Sequence, residues 1–242
     1  MPKSLTVSYT VKVSSRAKSA RLTITPHGGL VVVLPEGFNK KHLPDLLFRH
    51  DAWIQKATEK IKAHRPDPLP STENGLPCSI VFPYLNEEWR VVYNTKAKRV
   101  LDVDDAGGKR LLLSADVDDA ELSRRQLLAW LKRQSQKHLV PSFEKLAIAH
   151  DFNYSEVLVR LQHSRWGSCS SRRLITLNTK LLFLPDYLIR YIMIHELCHT
   201  VHMNHSKAFW ALVSRHDPFW RTNNAEMRSA WKYVPAWVSP KS

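Results

Sequence analysis

The chain has 242 residues, enough to bury a sizeable core as one large domain or two small ones. Hydrophobic residues at 43% and charged residues at 24% are ordinary globular values and exclude wholesale disorder. The formal net charge of +14 is less ordinary: it favours anionic partners such as nucleic acid or phosphate-bearing substrates, although a basic solvated face has the same composition.

The three cysteines, Cys78, Cys169 and Cys198, are too few and too scattered for a disulfide framework or a paired-cysteine zinc site. The opening "MPKSLTVSYT" has no apolar stretch of the kind a signal peptide carries. No apolar run reaches the roughly 18 residues of a membrane helix. These features lead us to expect a soluble, cytoplasmic protein with reduced thiols and no membrane association.

Residues 5–13, 20–25 and 30–35 alternate with the period of strands, and His27-Gly28-Gly29 supplies a turn that makes the last two a hairpin. From residue 40 to 62 the pattern is helical, with Leu43, Leu46, Leu47, Trp53, Ile54 and Ile61 on the face expected to be buried. The proline-rich stretch 65–77 reads as a loop or linker. Short strands follow at "SIVF", "EWRVVYN", "RVLDV" and "RLLLS". A second helix opens near "ADVDDAELSRRQ", acidic at its start and basic further on, and Pro141 is expected to break or kink it. Residues 156–162 and 173–178 read as strands around the polar "HSRWGSCSSR". Pro185 then suits the first turn of the helix that ends in "IMIHELCHTVHMNHS". The fold class expected is α+β: a β-rich region over 1–115 with one helix at 40–62, then an α+β half over 116–242 that contains the helix begun at Pro185.

His195-Glu196-Leu197-Cys198-His199 has the HExxH spacing of zinc hydrolases. Residues four apart on a helix are separated by about 40° around its axis, so the two imidazoles face one point, while the next residue stands about 100° away. Glu196 is thus placed to reach a water on the metal without binding the metal. Zinc in a catalytic site takes three protein ligands and an open fourth position. It acidifies the water there, and a glutamate accepts the proton. The pattern also arises by chance. Here it emerges from the apolar turns "LPDYLIRYIMI", where two imidazoles and a carboxylate without a partner would be costly to bury.

Three residues compete for the third ligand position. His202 would lie in line with His195 on a continuous helix, but about 10 Å along it, too far for both to reach one ion. His205 reaches the metal if the chain turns first, and Asn204, tolerant of the left-handed conformation, followed by Ser206 as the N-cap of a new helix, would supply that turn. Glu226 on a later helix is the third. Of the three, the spacing favours His205.

"RWGSC", a strand ending in "LN", the helix "PDYLIRY", "HELCH", "NHS" and "FW" occur in that order, and in this the chain resembles the YgjP-like family of metal-dependent hydrolases, distant relatives of the SprT and WLM zincins. The resemblance runs over roughly residues 6–237. It implies a zincin-like α+β catalytic domain, with His195, His199 and His205 as ligands of Zn²⁺ or another divalent transition metal and Glu196 as the catalytic residue.

Arg165, Trp166, Gly167 and Ser168 are candidates for the rim along which an extended substrate lies. Trp166 as core, Gly167 as a turn and Arg165 as an ion-pair partner is the competing account. Cys169 has no base or helix N-terminus to activate it. Arg165, His202 and Tyr233 are candidates for stabilising an oxyanion. Arg160, Arg172, Arg173, Lys180 and Arg190 add a basic surround that suits an anionic substrate or an exposed rim equally. Phe209, Trp210, Phe219, Trp220, Trp231 and Trp237 recur near helical spacing, as core aromatics do. The function expected is a zinc-dependent metallopeptidase acting on peptides. The alternatives are a nucleotide or phosphoanhydride hydrolase (a pyrophosphatase) on the same site, and a nucleic-acid-binding module with a structural metal.

Overall fold

A computed structural model describes residues 9–24, 30–63, 71–94, 96, 100–105 and 107–238. The fold is mixed α+β, with most strands in the first half and the long helices in the second. It divides into two compact units, Met1–Asp67 and Pro68–Ser242. Among the described residues no helix is long and apolar enough to cross a membrane.

In the first unit, strands β1 (Tyr9–Ser14), β2 (Arg21–Ile24) and β3 (Leu30–Pro35) form a sheet in the order β1-β3-β2. β2 and β3 pair antiparallel, Arg21 opposite Val33 and Ile24 opposite Leu30, as a hairpin requires. The turn expected at His27-Gly28-Gly29 lies outside the described residues. Alternate residues of β3, Leu30, Val32 and Leu34, are buried against Leu43, Leu47 and Ile54. The helix expected over 40–62 is two helices, α1 (Leu43–Arg49) and α2 (Asp51–Ala63). At His50 the backbone leaves helical geometry (φ −105°, ψ 8°) and its N–H bonds to Leu47 and Phe48, and Asp51 starts a new first turn. Of the residues expected on its buried face, Trp53 is exposed.

The second unit begins with a four-stranded sheet ordered β4-β5-β7-β6, from β4 (Ser79–Phe82), β5 (Glu87–Tyr93), β6 (Leu101–Asp105) and β7 (Gly108–Leu113). Helix α3 (Ala120–Ala149) follows, its first turn capped by Asp119, which accepts from the Leu122 N–H at 3.0 Å. Trp130 of α3 stacks on Phe82 (ring centroids 5.6 Å) and meets Trp89 edge-on (5.3 Å), and Phe82 also touches Phe183 (5.4 Å). The boundary expected at 115/116 therefore falls inside this unit, whose sheet and central helix share one core. Nor does α3 end at Pro141, which lies in its interior. A proline there deprives the Lys137 carbonyl of its N–H partner, and the Ser142 hydroxyl donates to the neighbouring His138 carbonyl at 2.9 Å.

Beyond α3, β8 (Glu156–Arg160), β9 (Gly167–Cys169) and β10 (Leu174–Asn178) form a second sheet in the order β8-β10-β9. β10 is parallel to β8 and antiparallel to β9, which leaves β9 at an edge. Among the described residues three α-helices follow, α4 (Asp186–Cys198), α5 (Lys207–His216) and α6 (Trp220–Met227).

The ends of α3 and α5 meet α4 at a histidine pair. Arg190 Nη2 donates to His150 Nε2 at 3.1 Å, so neutral His150 carries its proton on Nδ1 and donates it to His216 Nδ1, 3.0 Å away. Burial, then Arg190, holds the His150 imidazole below its ordinary range, and burial, then His150, does the same to His216. Because the folded values are depressed, the unfolded chain takes up these protons first as pH falls. Stability from this cluster is intact above about pH 6.5, the ordinary histidine value, and declines below it. We expect the melting temperature to fall between pH 7 and 5, and to fall less in a His150→Asn, His216→Gln variant. Equal slopes for the two proteins would refute this account of the cluster.

Candidate metal centre

Helix α4 starts directly after Pro185, its N-cap, and is apolar on nearly every side: Leu188, Ile189, Tyr191, Ile192, Met193, Ile194, Leu197 and Cys198 are all buried. His195 and Glu196 lie in its last turn and His199 is its C-cap. The helix ends at Cys198, and just beyond its cap the Thr200 hydroxyl donates to the Leu197 carbonyl at 2.7 Å. The turn expected at Asn204 is thus made earlier, and Asn204 is not in the left-handed region. Ser206 caps α5 as expected, its hydroxyl accepting from the Phe209 N–H at 3.3 Å.

The loop brings His205 back onto the helix end. Nitrogens of His195, His199 and His205 lie within 4.8 Å of one another, and the Nε2 atoms of His195 and His205 are 3.0 Å apart. His199 Nδ1 donates to the His202 carbonyl at 3.0 Å, which fixes its tautomer and leaves Nε2 with a free lone pair. Burial, then the neighbouring histidines, pushes the His195 imidazole down to about 3, and burial also lowers His199. Both are neutral at pH 7, the state a metal requires of an imidazole.

The two competitors for the third place are elsewhere. The His202 ring is outside the cluster. Both carboxylate oxygens of Glu226 accept from the Tyr187 hydroxyl, at 3.0 and 3.1 Å, and one also accepts from Tyr233 at 2.9 Å. That bond also engages the hydroxyl that made Tyr233 a candidate for the oxyanion.

Glu196 is buried, and its Oε2 has no hydrogen-bond partner among the described residues. Burial pushes its carboxyl up to about 8, with Arg165 pulling the other way. Strand β9 runs against it so closely that a Cβ on Gly167 would lie 2.7 Å from Glu196 Cγ and Oε1. Gly167 is therefore glycine for space. Its own backbone is not in the left-handed region.

Of the four residues expected along the rim, Arg165 is exposed, and Gly167 and Ser168 are half-buried on the edge strand. Trp166 is not on the rim. It is 9% exposed and stacks on Trp231 at 4.1 Å, because its side chain turns into the core. Lys180 is also buried, its ammonium 5.1 Å over the Trp231 ring, with its pKa lowered by burial. Burial, then Glu196, pushes the Cys169 thiol up to about 11, and burial pushes Cys198 up to about 12, so neither is an activated nucleophile.

Asn178 is a residue that the sequence reading did not single out. Fully buried at the end of β10, it donates from Nδ2 to the carbonyls of Gln162 (2.9 Å) and Arg165 (2.7 Å) and accepts from the Lys180 N–H at 3.1 Å. It thereby ties the loop leading into β9 to β10 and fixes the edge beside Glu196. The sequence signal was the "LN" that ends the strand.

A cluster of three histidines beside a buried carboxyl and an open strand edge is an arrangement suited to metal-dependent hydrolysis. The chain belongs to the YgjP-like family, whose model, described as a metallopeptidase domain, matches residues 18–230. Among solved structures, the chain is similar to the metallopeptidase zymogen of Pyrococcus abyssi abylysin, 26% identical, over 37% of this chain and 90% of that one with a TM-score of 0.33. No curated protein matches it.

Proposed function

We propose that the protein is a zinc-dependent peptidase in which His195, His199 and His205 hold the ion and Glu196 is the general base. The observation that carries this is the convergence of three imidazoles within 4.8 Å beside a buried carboxyl with an unpartnered oxygen. The donor set fits the ion: neutral imidazoles suit zinc, and three of them leave its fourth position open. A bound divalent ion would supply Lewis acidity towards a carbonyl and a positive field that draws the Glu196 pKa back down.

The chain's own residues supply the rest. Glu196 accepts a proton from the attacking water and passes it to the leaving amine. The edge of β9, unpaired among the described residues, offers backbone groups to an extended peptide, which would add as a further strand alongside Gly167 and Ser168. Arg165, exposed at the start of that edge, is the positive charge available to the developing oxyanion.

The test is hydrolysis of a mixed peptide library and, separately, of nucleoside triphosphates by the zinc-loaded protein. We expect peptide cleavage that a chelator abolishes and zinc restores. Release of phosphate or pyrophosphate with the peptides left intact would rule the peptidase out.

A further inference from the structure

The three imidazoles are not held in the same way. His195 and His199 belong to α4 and its cap, and each has a partner at its other ring nitrogen: the Tyr191 hydroxyl 3.5 Å from His195 Nδ1, and the His202 carbonyl 3.0 Å from His199 Nδ1. Such partners orient metal-binding histidines and tune their basicity. His205 lies on the exposed loop before α5, and its Nδ1 has no hydrogen-bond partner among the described residues.

Phe209 and Trp210 also meet His195 edge-on, at 5.0 and 5.8 Å, and Phe209 stacks on His199 at 4.4 Å, but of the three imidazoles it is His205 that lies flat against Trp210. Trp210 lies nearly parallel to the His205 ring, centroids 5.4 Å apart at 23°, and Phe209 meets it edge-on at 4.9 Å. Trp220 of α6 backs Trp210 at 4.6 Å and 17°, and the Arg221 guanidinium sits 4.9 Å from the Trp220 ring. His205, Trp210 and Trp220 thus form a column of three stacked rings reaching from the loop to α6.

We propose that Trp210, backed by Trp220, is a positioning residue that fixes the plane of the exposed His205 imidazole, which no described protein group holds by a hydrogen bond at Nδ1, and so sets the affinity of the triad for its metal. Ordering a loop side chain on binding carries an entropic cost, which a ring already held flat avoids. An imidazole bound to a dication also takes on positive charge, and the face of an indole attracts a cation. The stack therefore tightens when metal binds. The proposal rests on His205 being the third ligand.

The test is zinc affinity, measured by competition with a chromophoric chelator, on the wild type and on His205→Ala, Trp210→Leu and Trp210→Phe. The visible spectrum of the cobalt-loaded proteins is a second readout. Trp210→Leu keeps an apolar side chain but loses the flat ring, and we expect zinc binding to weaken roughly 10–100-fold, as when an outer-shell partner is lost. Its cobalt bands should change with it, and Trp210→Phe should restore most of both. A Trp210→Leu protein with wild-type affinity and spectrum overturns the inference, as does equal weakening by leucine and phenylalanine. Should Trp210→Leu not fold, Trp220→Leu replaces it, and unchanged zinc affinity there also overturns the inference. If His205→Ala binds zinc as tightly as the wild type, the triad itself falls, which distinguishes failure of the site from failure of the stack.

Discussion

Glu196→Gln should lower peptide hydrolysis by roughly 10²–10⁴-fold, the usual contribution of a positioned general base, while leaving bound zinc unchanged. Glutamine has nearly the shape of glutamate, so the contact with β9 survives and the three imidazoles are untouched. What would be lost is the group proposed to receive the proton. The metal-free protein offers a check on the burial argument. Folding raises the Glu196 carboxyl from an ordinary 4.5 to about 8, so across that interval the folded chain holds a proton that the unfolded chain has released. Stability from this residue is therefore fully present below about pH 4.5 and is lost as pH rises through 8. The metal-free glutamine variant should lose less stability than the wild type between those values. Full peptide hydrolysis by the variant would remove Glu196 from the reaction.

Gly167→Ala is expected to have the second-largest effect, although Gly167 bears no chemical group. Its added methyl would lie 2.7 Å from Glu196 Cγ and Oε1 and 2.9 Å from Cδ, closer than real contacts allow. Either the carboxylate or the edge strand must move. A displacement of about 1 Å at a reacting group can cost about 10²-fold in rate, and an added methyl in a packed site destabilises by about 1–3 kcal/mol. Zinc affinity should hold, because Gly167 is not among the converging nitrogens. The decisive comparison is the double variant. Since the methyl acts through Glu196, it should cost little further activity once Glu196 is already glutamine. Fully multiplicative losses would mean that Gly167 acts on something else.

Features fixed by local spacing were the ones legible in the sequence. His195 and His199 share a face because of helical periodicity, β3 buries alternate residues because strands alternate, and Ser206 caps because an N-cap is a short-range device. Features set by contacts between distant segments were not. The aromatic cluster of Phe82, Trp89, Trp130 and Phe183, which lies across the expected 115/116 boundary, joins segments about a hundred residues apart. Trp166 looked like a rim residue from its neighbours, but its partner, Trp231, lies far along the chain. The role of Asn178 consists of two carbonyls in another loop, which no periodicity announces. The bend before His205 was also not where the sequence suggested, because α4 ends at Cys198 with His199 as its C-cap, ahead of the asparagine expected to turn the chain.

Helix α3 has a consequence for how the protein comes apart. One side of it carries Trp130 into the aromatic cluster of the first sheet of its unit, while further along Phe143 meets Tyr154, at the approach to β8. An opening that frees the strands between Ser79 and Leu113 strips apolar cover from the same rod that supports the histidine-bearing half. The two sheets should therefore exchange their amide hydrogens as a single cooperative block. The persistence of the histidine cluster over time should then be set partly by strands far from it in the chain.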